Sequence, residues 1–157
     1  MSNLLAPLST SVFVPLDPRE AFLHFTERIS TWWPLSTYSV STRRAKECGI
    51  EPGAGGEIWE TSIDGERFVW GTIRRWDPPT SIIFSWHPGR EASTAQEVEV
   101  RFSPEGDGTR VDLEHRGWEA LGQEAGANRD GYANGWKYVL GECYVGTAPG
   151  ERGAKRP

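Results

Sequence analysis

The sequence predicts an α+β domain in which a seven-stranded antiparallel sheet wraps around one long C-terminal helix. Three observations lead there. Short runs that alternate apolar and polar residues recur between Ala45 and Arg116, separated by turn signals at Pro52 to Gly56, Asp64-Gly65, Asp77-Pro78-Pro79, Pro88-Gly89 and Glu105 to Gly108. Asn128 to Thr147 switches to helical spacing, with Tyr132, Trp136, Val139, Leu140 and Cys143 as an apolar stripe. A meander of this kind is wet on one face and needs cover on the other, and the helix has the length and the stripe to supply it.

The elements follow in order. Leu8 to Pro15 alternates Val12 and Val14 against Phe13 and reads as the first strand. Asp17 then stands at an N-cap position, Pro18 at the first helical residue and Glu20 where a capping-box carboxylate reaches back. The helix they start runs to about Ile29, burying Ala21, Phe22, Phe25 and Ile29 and leaving His24 toward solvent. Ser30 or Thr31 caps a second, short helix through Trp32 and Trp33, which Pro34 ends or kinks. Six strands come next: Ala45 to Glu51, Gly56 to Ser62, Arg67 to Trp76, Ser81 to His87, Ala95 to Ser103 and Gly108 to Arg116. Asp64-Gly65 is the strongest hairpin turn, because these residues tolerate the positive φ that a primed turn needs. In the last helix Gly131, Gly135 and Gly141 each give up roughly 1 kcal/mol of helical propensity relative to Ala, which predicts close approach to the sheet or to a ligand.

A chain of 157 residues suits one domain, assigned to 10–147 between a short lead, 1–9, and a Gly/Pro/charged tail, 148–157. The net charge of −5, without a Lys/Arg run, argues against nucleic acid or an anionic membrane as partner. No apolar run approaches a membrane span, and Met1 to Pro7 lacks the features of a signal peptide, so a cytoplasmic location is expected. Cys48 and Cys143 fall outside any metal spacing and are expected as free thiols. No metal and no cofactor is expected either. Nucleophile elbow, paired metal-spaced His and Cys-x-x-Cys are all missing, and Gly53-Ala54-Gly55-Gly56 lacks the Lys and helix of a phosphate cradle. Of Arg43-Arg44 and Arg74-Arg75, at most one residue per pair faces inward, and solvated charge is the simpler reading.

Eight tryptophans are the unusual feature. Strand and helix parity places Trp59, Trp70, Trp86 and Trp136 on the concave side, where they suit a flat, apolar ligand or simply build a core. The binding set predicted around them is Trp33, Trp59, Trp70, Phe84, Trp86, Val100, Leu113, His115, Tyr132, Trp136 and Leu140. His115 shares the dry face with Val111 and Leu113. It is either a hydrogen-bonded core histidine or an acid–base group with Tyr132 or an inward Arg orienting the substrate.

Val14-Pro15 with Pro18, Ala21, Phe22, Phe25 and Trp32-Trp33-Pro34 begins a series of short motifs. It continues through Pro52, Gly55-Gly56, Gly71, Asp77-Pro78-Pro79, Phe84-Ser85-Trp86, Thr109-Arg110-Val111, Leu113, His115, Gly117-Trp118, Gly135-Trp136 and Leu140. Over residues 10 to 145 this series resembles the helix-grip, START-like fold of the SRPBCC superfamily, and within it the AHSA-type branch, homologues of the activator of heat shock protein 90 ATPase. The resemblance implies a deep cavity between helix and curved sheet that takes an apolar or aromatic small molecule. It also implies a range of functions: binding protein, cofactor-free cyclase or hydrolase, and stress-related chaperone modulator. A homodimer and a chaperone contact are compatible with it. The extra N-terminal domain of the eukaryotic co-chaperone has no counterpart in residues 1–9, which speaks against direct chaperone activation.

Overall fold

A computed structural model describes residues 6–148, so the expectations for residues 1–5 and 149–157 lie outside it. The strands are β1 (Leu8–Val14), β2 (Ala45–Ile50), β3 (Glu57–Ser62), β4 (Arg67–Asp77), β5 (Ser81–Trp86), β6 (Gln96–Glu105) and β7 (Gly108–Arg116). They form one antiparallel sheet in the order β1-β7-β6-β5-β4-β3-β2. Every turn signal separates two strands, and Gly65 takes the positive φ of 86° expected at the β3–β4 hairpin. Inward positions of β5, β6 and β7 (Ile82, Phe84, Val98, Val100, Val111, Leu113) are all buried. On the convex face Arg116 bridges Glu97 and Glu99.

Two helices, α1 (Pro18–Thr26) and α2 (Ile29–Trp32), connect β1 to the meander. Asp17 caps α1 by accepting from the Glu20 N–H at 2.8 Å. Glu20 does not complete the capping box, because its carboxylate accepts from Arg28. His24 is not toward solvent. It is 1% exposed, with Nε2 beside the Tyr144 carbonyl and its ring near those of Tyr144 and Trp32. His87, expected outward at a strand end, is also buried, with Nδ1 against the Arg90 carbonyl. The four arginines of the two Arg-Arg pairs are all exposed.

The last helix differs from its sequence pattern in an instructive way. α3 (Ala125–Tyr138) begins earlier than expected and passes into a π-helical turn, Val139–Tyr144, where the Val145 N–H bonds the Leu140 carbonyl. A π turn inserts one residue into the helical phase. Trp136, Val139 and Leu140 are buried, but beyond them the inward position passes from Cys143, half-buried, to Tyr144, fully buried. Tyr144 reaches α1, donating its hydroxyl to the Ala21 carbonyl at 2.7 Å. The glycines act differently from one another. A Cβ on Gly135 would stand 3.2 Å from the Tyr38 ring, whereas nothing lies within 4 Å of one on Gly131 or Gly141, so neither is forced by close approach.

Candidate functional site

The rings of Trp33, Trp70, Trp86 and Trp136 meet at one end of the interior, with centroids 5.1 to 6.0 Å apart. On the outer side of this cluster lies an open hollow of about 690 Å³. Its floor is Trp33, Trp86 and Trp136; one wall is the face of α3 carrying Asn128, Gly131, Tyr132 and Gly135; the rim is Tyr38, Ser39 and Val40 opposite Pro88 and Gly89.

Four members of the predicted set line this hollow: Trp33, Trp86, Tyr132 and Trp136. Trp70, Phe84, Val100, Leu113 and Leu140 are packed beneath it, each at most 2% exposed, so the space that a deep cavity would occupy under the helix is filled at these positions. Trp59 is on the other face altogether. Ile58, Glu60 and Ser62 are the buried, inward positions of β3, so Trp59 points outward, over Gly49, with the Arg67 guanidinium 5.1 Å from its ring centre. Its assignment to the concave side is corrected accordingly.

His115 is sealed behind the cluster, fully buried and stacked on Trp118 with centroids 4.1 Å apart. Trp136 Nε1 donates to His115 Nδ1 at 3.0 Å, so that nitrogen carries no proton. Nε2 then bears the hydrogen and donates to Gln96 Oε1 at 3.1 Å, while Gln96 in turn donates to the Thr94 carbonyl. Burial pushes the imidazole pKa down to about 3. Both nitrogens are occupied, which makes His115 a neutral fastening of α3 to β6 and β7 rather than a proton shuttle facing the hollow.

The polar side chains that border the hollow are those of Tyr38, Ser39, Asn128 and Tyr132. Trp33 Nε1 donates to the Tyr38 carbonyl at 2.9 Å. Burial raises the pKa of the Tyr132 phenol above its ordinary value, keeping it protonated, while the Trp86 N–H and the positive charge of Arg90 act more weakly in the opposite sense.

Sequence reasoning passed over the residues that hold the rim. Glu60 is fully buried and points inward from β3. Its carboxylate accepts from the Val40 and Ser41 backbone N–H groups at 2.7 and 2.8 Å, from the Ser41 hydroxyl, and from Trp70 Nε1 at 2.6 Å. Four donors on one buried carboxylate compensate its desolvation and pin the segment carrying Tyr38 to the sheet. The signal was available: Glu60 has the parity of Ile58 and Ser62, and a carboxylate on a dry face needs donors.

No group of three or more His, Cys, Asp or Glu able to hold a metal occurs among the described residues, and no helix among them is long and apolar enough to cross a membrane. Cys48 is buried and Cys143 half-buried, both free.

Comparison with known proteins places the chain. An anthrahydroquino-γ-pyrone synthase complexed with SUM is 33% identical, with 81% of this chain and 86% of that one aligned at a TM-score of 0.58. A protein from Nitrosomonas europaea shares the fold at 16% identity, covering 98% of this chain and 99% of the other, with a TM-score of 0.68. So does the Aha1 dimer from Colwellia psychrerythraea, at 13% identity, 91% and 99% coverage and a TM-score of 0.58. No curated protein matches the sequence. The family model described as Activator of Hsp90 ATPase homolog 1-like protein matches residues 17–142, and the chain, with its helix-grip α+β fold, belongs to that family.

Proposed function

We propose that this protein binds a flat, aromatic small molecule in the hollow between the C-terminal helix and the Tyr38–Val40 rim. The observation that carries the reading is the hollow itself, about 690 Å³ with a floor of three indole rings and a mostly apolar lining that includes the polar side chains of Tyr38, Ser39, Asn128 and Tyr132. Its volume is that of a site for a drug-sized ligand, and stacked or edge-on indoles contribute about 0.5–1.5 kcal/mol per ring pair beyond burial. The test is saturable quenching of tryptophan emission by planar aromatic compounds, lost in Gly131→Trp, which places an indole in the mouth. Binding by none of a panel of such compounds, or equal binding by the plugged variant, overturns the reading.

A second reading is that the bound molecule is also transformed, in a ring-closing reaction without a cofactor. The 33% identical synthase favours it. His115 is a poor candidate for its acid or base, since both ring nitrogens are engaged within the protein. Tyr132, on the wall of the hollow, is the better one. Turnover that survives His115→Gln but not Tyr132→Phe supports this version. The chaperone-modulating alternative draws only on the family description, and copurification with a chaperone from its host tests it.

A further inference from the structure

Among the described residues the lining of the hollow carries no ionic side chain, but a guanidinium stands at its mouth. Arg90 follows Pro88 and Gly89 of the rim, in a turn that fixes its backbone. The Arg90 N–H donates to the His87 carbonyl at 2.9 Å, Gly89 takes the positive φ of 75° that such a turn requires, and the buried His87 ring meets the Arg90 carbonyl at 3.1 Å. From there the side chain reaches across to the opposite wall. Its Nη2 lies 3.0 Å from the Glu124 carboxylate and 3.5 Å from Oδ1 of Asn128, a residue of the lining. The Asn128 amide donates from Nδ2 to the Glu124 carbonyl at 2.9 Å, which leaves its oxygen for Arg90. The charge of Arg90 is also felt at the Tyr132 phenol on the same wall.

We infer that Arg90 determines the specificity of the hollow, and that the aromatic ligand it selects carries a carboxylate at the end that lies toward Asn128. The inference rests on the reading of the hollow as a ligand site. The protein as a whole carries a net charge of −5 and repels an anion, so a preference for an acid needs a local cation. A guanidinium offers its charge together with parallel N–H donors in a planar fork, the shape of a carboxylate. Glu124 competes for that fork, but only weakly. The two side chains of the pair are 39% and 64% exposed, and an exposed ion pair is easily exchanged. A carboxylate carried by rings already seated on the indoles is held at the guanidinium without further loss of freedom, whereas Glu124 returns to water that it already faces. An uncharged ligand of the same outline gains nothing from the exchange.

The test uses two probes of the same outline, 2-naphthoate and its neutral amide 2-naphthamide, titrated against the intact protein by calorimetry. The wild type is expected to bind the acid about three- to tenfold more tightly, the range of one net hydrogen bond. Arg90→Gln should abolish that preference, weakening the acid and leaving the amide unchanged. Glu124→Gln removes the competitor and should strengthen the acid by up to about fivefold, the range of an exposed ion pair, again without effect on the amide. Arg101→Gln removes the same charge from the outward side of β6 and should leave the ratio of the two probes where it was. Equal affinity of the wild type for both probes, an unchanged ratio in Arg90→Gln, or an equal fall of the ratio in Arg101→Gln overturns the assignment while the hollow stands as a ligand site. Binding of neither probe removes the site and the role of Arg90 together.

Discussion

The two ends of the interior are built from the same kinds of residue and end differently. Under α1, Phe22, Phe25, Trp32, Phe102 and Tyr144 pack edge to face and tilted, with centroids 5.2 to 6.0 Å apart, and none of them lines the hollow. Trp32 Nε1 donates to the His24 carbonyl and the Tyr144 hydroxyl to the Ala21 carbonyl, so both polar tips are satisfied within the protein. At the other end Trp33, Trp86, Trp136 and Tyr132 make comparable ring contacts but border an open hollow, with one indole N–H left unpaired. Aromatic richness therefore does not distinguish core from site in this molecule. The distinction lies in where the polar tips of the rings are spent. Two buried ring nitrogens away from the hollow also lack partners, His24 Nδ1 at the closed end and Trp118 Nε1 beside His115.

The sharpest way to break the comparison is truncation. Phe25→Ala at the closed end should cost about 3–5 kcal/mol, because a fully packed ring leaves a cavity that its neighbours cannot refill. Tyr38→Ala at the open end, where the ring is 42% exposed, should cost less than about 1 kcal/mol. Equilibrium urea unfolding of both variants reads the difference, and equal losses would mean that the open end is packed as tightly as the closed one.

Acid probes the fastening of α3 to the sheet at His115. The folded-state pKa of His115 is depressed to about 3, so the unfolded chain takes up a proton that the native state refuses. Its contribution is fully present above the unfolded value of 6.5 and is lost progressively as pH falls from there toward 3. Between pH 7 and pH 5 one such histidine removes about 2 kcal/mol. His24, also lowered by burial, acts in the same direction, whereas the lowered carboxylates Glu97, Glu99 and Asp112 act at more acidic pH. Unfolding free energies measured across this range should therefore fall less steeply in His115→Gln than in the wild type. Identical slopes would show that His115 titrates normally.

A smaller effect separates the glycines of α3. Gly131→Ala meets nothing within 4 Å and should gain about 0.5–1 kcal/mol of helix stability. Gly135→Ala must displace the Tyr38 ring, and should gain less than Gly131→Ala in the same thermal melts. Least energetic of all is the thiol test. Burial pushes the Cys48 thiol up to about 12, so a thiol reagent should modify Cys143 alone in native protein and both cysteines after denaturation.

The sheet was legible because its signals are local: alternation sets each strand, and Gly or Pro ends it. Even the register of β5 against β6, with Ile82 opposite Val100 and Phe84 opposite Val98, follows once the strands are placed. What could not be read depends on partners distant in the chain or on a break in phase. The π turn at Val139–Tyr144 rotates the stripe so that Tyr144, absent from the predicted set, becomes the buried anchor. The neutrality of His115 depends on Gln96 and Trp136, 19 and 21 residues away. Trp59 is a different matter, since its parity opposite to Ile58 and Glu60 was visible, and grouping it with Trp70 set tryptophan content above alternation. Of the hollow, its indole floor was legible from Trp33, Trp86 and Trp136, but the Tyr38–Val40 rim was not, because it is irregular chain held in place by a carboxylate from another element.

That carboxylate has a kinetic consequence. With Val40, Ser41 and Trp70 all bonded to Glu60, the entrance is assembled before anything enters it, and an incoming molecule has no loop to order. Association should then proceed at the rate of encounter, and compounds that differ in affinity should differ mainly in how long they stay.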